Sequence, residues 1–247
     1  MRRVLACALP LALLAAGCGG EKPTIKVSAA ASLKTAFEQS ADSFDAGDVS
    51  FSFAGSDELA AQIRQGLKPD VYAAANTELP DALFAEGLVE KPVPIASNRV
   101  LIAVPKGSNK VESLADLAKP GITIAAGAAR VPIGSYTREV LERMPDAQAR
   151  AIERNIRSNE PDVVGIVGKV SQGAVDAGFV YVTDIRAAGG KLGFITVPER
   201  FQPIVTYSAA VVKDAPNHDE AREFLEWLQT GDGHQALQDA GFGNAPV

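Results

Sequence analysis

IKVSAAASLKTAFEQSADSF, residues 25–44, decides the fold class. Residues 25–28 form a short apolar run of strand type. Small residues and Ser32 follow, and from there Leu33, Phe37, Ala41 and Phe44 recur at helical spacing as one buried stripe. Ser32 is the expected N-cap, its hydroxyl satisfying a backbone N–H of the helix start. The same succession of strand, small or hydroxyl residue, and amphipathic helix returns in FAGSDEL ending at Leu59, VPIGSY ending at Tyr136 and EPDVVG ending at Gly165. A helix start leaves several N–H groups without intrahelical partners and carries roughly half a positive charge. Four such starts converging on one point would hold an oxyanion without any cationic side chain.

Outward from these stretches, strand-like runs at 25–28, 49–53, 70–74, 100–104, 122–125, 178–181, 194–197 and 207–212 alternate with helical patterns. The alternation predicts an α/β protein with largely parallel sheets. A helix is expected from Ser56, with Asp57 and Glu58 favouring its N-terminal dipole, to a stop at Gly66. Further helices are expected over 78–85, 135–144, 146–154, 163–172 and 218–229, the last carrying Trp227. RVLIAVPKG after Asn98 and IVTYSAAVVK after Pro203 are long, apolar and bounded by polar turns. They are expected to cross between two domains, leaving the first discontinuous and completed by the C-terminal helices. No internal repeat or low-complexity tract interrupts the pattern.

MRRVLACALPLALLAAGC opens the chain with Arg2 and Arg3, an apolar stretch short for a bilayer, and a small-residue ending at Cys18. This is an export signal, and Leu14 to Cys18 resembles the lipobox of bacterial lipoproteins, in which the cysteine is acylated. Cys7 lies inside the leader and Cys18 ends it, so the mature part offers no disulfide pair and no catalytic thiol. Loss of the leader removes two of the 24 basic residues, leaving 22 against 30 acidic and a formal charge of −8. Such a protein is a poor nucleic-acid binder and gains nothing from long-range attraction to an anion, so anion binding must be local.

His218 and His234 stand on helical segments without a ligand pattern and are expected at the surface, with no metal-cation site and no cofactor. The tyrosines, Tyr72, Tyr136, Tyr181 and Tyr207, form no local cluster, which disfavours an iron receptor of similar architecture. No nucleophile elbow, phosphate loop, zinc-protease or dinucleotide motif is present, and a serine nucleophile would lack a histidine base. Catalysis is therefore not expected.

Taken together, AAASLKTAFEQSADSF, FAGSDELAAQIRQGLKPDVYAAAN, VPIGSYTREVL and SNEPDVVGIVGKVSQGAVDAGFVYVTD resemble, in order and over essentially the whole mature chain, the substrate-binding lipoproteins of molybdate ABC importers. The resemblance implies a type II periplasmic-binding-protein fold: two α/β domains with mixed sheets, joined by a two-strand hinge, with the ligand in the cleft between them. The expected division is a signal segment at 1–17, a linker at 18–23, a first domain at 24–101 plus 206–247, and a second at 102–205. It further implies molybdate or tungstate as ligand and a membrane permease as partner. The protein would be a monomer, held outside the cytoplasm by lipid on Cys18. Carried over by motif, Ser32 and Ser56 would donate hydroxyl and backbone N–H, Ile133 and Val163 backbone N–H from helix starts, and Tyr181 its phenolic O–H.

Singly, each of these residues has an ordinary structural explanation: the serines as N-caps, Ile133 and Val163 as core, Tyr181 as a half-buried ring with a satisfied hydroxyl. The set is what points to a site. Two positions depart from the family pattern, Asp57 after Ser56 and Asn76 at the end of PDVYAAAN. Asp57 is expected to face solvent beside the helix dipole; directed into the cleft, it would repel a full dianion but accept a hydrogen bond from a protonated oxyanion such as hydrogen phosphate or arsenate. Sulfate or phosphate receptors share the same helix-terminus chemistry, and a scaffold lipoprotein without transport function is the alternative of a different class.

Overall fold

The computed structural model describes residues 22–246; the signal segment 1–17, Cys18 and the linker up to residue 21 lie outside them. The chain opens with β1 (Thr24–Ala30), α1 (Lys34–Ser40), β2 (Asp48–Ala54), α2 (Ser56–Arg64), β3 (Val71–Ala74), α3 (Glu78–Ala85) and β4 (Val93–Asn98). It continues through β5 (Val100–Pro105), β6 (Ile124–Gly127), α4 (Pro132–Glu142), α5 (Asp146–Asn155), β7 (Ile156–Glu160), α6 (Val163–Ser171), β8 (Ala177–Tyr181), α7 (Val182–Ala187) and β9 (Leu192–Thr196). It closes with β10 (Val205–Val211), α8 (His218–Thr230) and α9 (Asp232–Ala240).

These strands form two five-stranded sheets, in the orders β2-β1-β3-β10-β4 and β7-β6-β8-β5-β9. The sheets share one plan. A parallel core, β2-β1-β3 or β7-β6-β8, is extended by an antiparallel strand, β10 or β5, and then by an edge strand. The sheets are therefore mixed, and the expectation of largely parallel pairing holds only for their cores. The antiparallel strands are those expected to cross: the chain leaves the first sheet at Asn98, enters the second at Val100, and returns in β10 from Val205.

Two strands carry too little apolar signal to be found in the sequence. β7, IRSNE, is polar at every position after Ile156 and occupies a sheet edge. β4, VPIASN, contains Pro94, which an edge strand tolerates because its outer N–H groups need no ladder partner. The helices α7 and α9 were likewise not expected; α7 is short, and α9 opens on Asp232-Gly233.

The stripe on the first helix packs as its spacing demands. Leu33, Phe37 and Phe44 are buried, with Phe37 meeting Phe224 of α8 edge-on at 5.9 Å and Phe44 meeting Trp227 at 5.7 Å. Each such buried side chain is worth about 1.5–3 kcal/mol of apolar transfer, so α8 is fastened to the first sheet although it lies far along the chain. Among the described residues, no helix is long and apolar enough to cross a membrane.

Candidate functional site

The parallel strands of both sheets end at one narrow cleft. Ligand sites of open α/β sheets form outside such carboxyl ends, where strands hand over to helices. Here the chain contributes β1 with the turn at Ser32, β2 with the start of α2, and, from the other sheet, the starts of α4, α6 and α7. Ser32, Ser56, Ile133, Val163 and Tyr181 all line this cleft. Between them stand Ala30, Ala54, Gly55 and Ala75, whose small side chains leave the backbone N–H groups accessible.

Neither serine caps its own helix. Ser32 lies in a tight turn, Ala31–Leu33, that precedes α1, and its Oγ meets the Tyr207 hydroxyl at 2.8 Å. Ser56 is the first residue of α2, after Gly55 in the N-cap position, and its Oγ accepts the Ala75 N–H at 3.1 Å. Tyr72 donates to the Ser56 carbonyl at 2.7 Å, which ties the start of α2 to β3. Both hydroxyls thus serve long-range contacts, because the helix starts they were expected to cap open onto the cleft.

Ile133 and Val163 are buried, as core residues would be, yet each sits at the very beginning of its helix. In α4, Pro132 occupies the first helical position and has no N–H of its own, so Ile133 supplies the first donor. Gly134 makes this approach possible: a Cβ there would lie 1.9 Å from the Ala128 carbonyl oxygen. In α6, the Asp162 carboxylate accepts the Gly165 N–H at 2.9 Å, and helix geometry leaves the Val163 N–H without an intrahelical partner.

Tyr181 ends β8. Its hydroxyl is buried at the cleft with no hydrogen-bond partner among the described residues, and burial raises its pKa well above the usual tyrosine value. An unpartnered buried donor costs about 1–3 kcal/mol. Behind it, the buried Asp184 carboxylate accepts the Tyr181 N–H at 2.8 Å, and desolvation pushes its pKa up to about 7 against the opposing effect of that hydrogen bond.

Among the described residues no lysine or arginine lines the cleft, and the one carboxylate there, Asp162, is engaged in capping α6. Asp57 does not face solvent as expected. Its carboxylate is only 17% exposed and pairs at 2.8 Å with Arg130, which precedes α4 on the opposite side of the cleft. Asn76 is buried and accepts the Leu79 N–H at the start of α3.

Tyr136, Tyr181 and Tyr207, which form no local cluster in the sequence, stack edge-on in a row in space with centroids 6.4 and 5.9 Å apart, without Tyr72. The histidines are half-buried rather than on the surface: His218 bonds Glu90 at 3.0 Å and His234 meets Gln238 at 3.0 Å. Among the described residues, no group of three or more His, Cys, Asp or Glu side chains could hold a metal ion. Tyr207 and Asn98, which support Ser32 from behind, carry no sequence signal, since they lie 175 and 66 positions from it in an unremarkable apolar context.

A family model described as bacterial extracellular solute-binding protein matches residues 25–243. The chain belongs to that family. Its relatives include the molybdate-binding protein ModA of Mycobacterium tuberculosis, 35% identical over 96% of this chain and 97% of that protein. Among solved structures, the substrate-binding domain of a putative molybdenum ABC transporter from Clostridium difficile is 25% identical, covers 90% of this chain and 99% of its own, and superposes with a TM-score of 0.69. The periplasmic molybdate-binding protein of Azotobacter vinelandii shares the fold with a TM-score of 0.80, at 21% identity, over 90% of this chain and all of its own. A more distant relative from a Pseudomonas species, 28% identical over 68% of this chain and 64% of its own, is named aconitate isomerase.

Proposed function

We propose that this solute-binding protein is the extracytoplasmic receptor of a molybdate ABC importer, holding molybdate, with tungstate as the equivalent ligand, between its two sheets through neutral donors alone. Those donors are the hydroxyls of Ser32, Ser56 and Tyr181 and the backbone N–H groups of Ser32, Ser56, Ile133 and Val163. The observation that carries the proposal is the Tyr181 hydroxyl, buried at a cleft rimmed by helix starts and without a partner among the described residues. A tetrahedral oxyanion would complete it and the free N–H groups together, each by a charge-assisted hydrogen bond.

Binding without chemistry fits the lining. An isomerase would need a base facing its substrate, whereas the ionisable residues of the cleft are Asp162, committed to Gly165 N–H, and Tyr181, held protonated by burial. Neutral donors also select against a ligand that carries a proton, because one donor then faces another. Parallel calorimetry of the purified protein with molybdate, tungstate, sulfate and phosphate tests the proposal. Molybdate and tungstate should bind tightly and phosphate weakly; failure of all four to bind would leave the scaffold alternative.

The proposal extends to the membrane. Cys18 would carry the lipid that keeps the receptor, as a monomer, beside its permease. Cell fractionation tests this part, since Cys18→Ala should release the protein from the membrane fraction.

A further inference from the structure

We propose that Tyr207 is a positioning residue of the cleft: it donates its phenolic proton to Ser32 Oγ and so obliges the Ser32 hydroxyl to donate into the cleft. The inference rests on the assignment of Ser32 as a ligand donor. The Ser32 and Tyr207 oxygens lie 2.8 Å apart, a distance that allows either to donate. Asn98 fixes the direction.

The Oδ1 atom of Asn98 accepts the Arg99 backbone N–H at 2.9 Å, and flipping the amide would set two donors against each other. Its Nδ2 therefore points the other way, donating to Thr183 Oγ1 at 3.0 Å and, over a longer 3.5 Å, to the Tyr207 oxygen. With a donor already directed at that oxygen, the phenolic proton is left for Ser32. Burial raises the Tyr207 pKa well above the usual value, so the proton stays in place. The ring cannot swing away, being fully buried between Tyr181 at 5.9 Å and Phe242 at 5.1 Å.

The donor direction thus runs from Asn98 through Tyr207 to Ser32 and ends on the ligand. Asn98 is the last residue before the chain crosses to the second sheet, and Thr183 belongs to α7 beyond that sheet. The polarity of the cleft at Ser32 is therefore set where the two halves of the molecule join. A serine held as a donor suits an oxygen without a proton; one free to rotate could also accept, and would admit a protonated anion such as hydrogen phosphate.

The test is a double-mutant cycle on molybdate affinity, with Tyr207→Phe, Ser32→Ala and the pair, and with phosphate affinity measured alongside. Tyr207→Phe should weaken molybdate about three- to tenfold and narrow its advantage over phosphate. The same change made in Ser32→Ala should cost nothing further, because the two residues act as one unit. A Tyr207→Phe protein that binds molybdate as tightly as the unmutated one, or losses that simply add, would overturn the relay while leaving the oxyanion site standing. Loss of all oxyanion binding in the unmutated protein, or a silent Ser32→Ala, would overturn the underlying assignment and the relay with it. If Tyr207→Phe does not melt cooperatively, Asn98→Asp takes its place in the cycle. Its carboxylate accepts the phenolic proton and draws it off Ser32, so the loss it causes should shrink when Ser32 is already alanine; an undiminished loss overturns the relay.

Discussion

At the scale of single residues, the site keeps polar groups in states that only a ligand resolves. Tyr181 is the clearest case, and it predicts effects of opposite sign from one substitution. Tyr181→Phe removes an unpartnered buried hydroxyl, so the ligand-free protein should melt at the same temperature or be stabilised by up to about 1 kcal/mol. Molybdate affinity should fall ten- to a hundredfold, the value of a lost charge-assisted bond of about 1.5–3 kcal/mol. Thermal melts and calorimetry on one preparation check both, and a destabilised variant with unchanged affinity would make Tyr181 a core residue only. Asp184 behind it governs pH. Its folded pKa of about 7 lies above the ordinary 3.8, so the folded state holds the proton more tightly than the unfolded chain. Stability from this group is full below about pH 4 and is lost as pH rises toward and through 7. Asp184→Asn keeps an acceptor for the Tyr181 N–H without the ionisation, and melts between pH 4 and 8 should show a flatter profile than the unmutated protein; an unaltered slope would assign the pH dependence elsewhere.

At the scale of elements, the decisive units are helix starts, and their visibility in the sequence follows from what fills them. The starts of α2 and α6 are legible because a strand-like run, a small or polar residue and a helical stripe follow one another at Ser56 and Val163. Helix α3 falls on the expected range, at Glu78–Ala85, whereas α4 begins at Pro132, ahead of the expected 135, because proline at the first position needs no N–H partner. The polar edge strand β7 and the six-residue α7 bury too few apolar side chains to leave a periodicity. The N-cap role expected of Ser32 fails for a different reason: local spacing sees the helix that follows, not Tyr207, 175 residues away. A backbone donor can be deleted at α6 on the model of α4. Asp162 already has the extended conformation that a following proline requires, φ −156° and ψ 177°. Val163→Pro should therefore fold, as circular dichroism would show, yet bind molybdate ten- to a hundredfold more weakly, while Val163→Ala should retain most affinity. A folded proline variant with full affinity would remove the Val163 N–H from the site.

At the scale of the whole molecule, two sheets of the same plan, linked through β5 and β10, present their parallel strand ends to each other, and the lips of the cleft are in contact. Gly55 lies so close to the opposite side that a Cβ on it would stand 2.7 Å from the Pro161 carbonyl oxygen, and the Asp57–Arg130 pair bridges the same gap nearby. The ion pair contributes little to closure, because Arg130 is 83% exposed and pairs of this kind are worth about 0–1 kcal/mol in water. Steric fit at Gly55 is the stronger control. Its backbone, at φ −60° and ψ 137°, is open to any residue, and within its own half of the molecule the added methyl meets the end of the Asp57 side chain at 3.0 Å, a flexible group that can shift. What the added methyl opposes is the approach of α2 to Pro161, a backbone contact that no side-chain rotation relieves. A ligand that touches both sheets draws them together by its differential affinity for the closed form. In Gly55→Ala that affinity must work against the collision. Small-angle scattering should show the unmutated protein compacting when molybdate is added and the variant compacting less, with a matching loss of affinity and an unchanged circular dichroism spectrum. Equal compaction and equal affinity would mean that Gly55 and Pro161 need not meet for the oxyanion to be held, whereas no compaction in either protein would make the closed cleft a property of the resting protein rather than a response to its ligand.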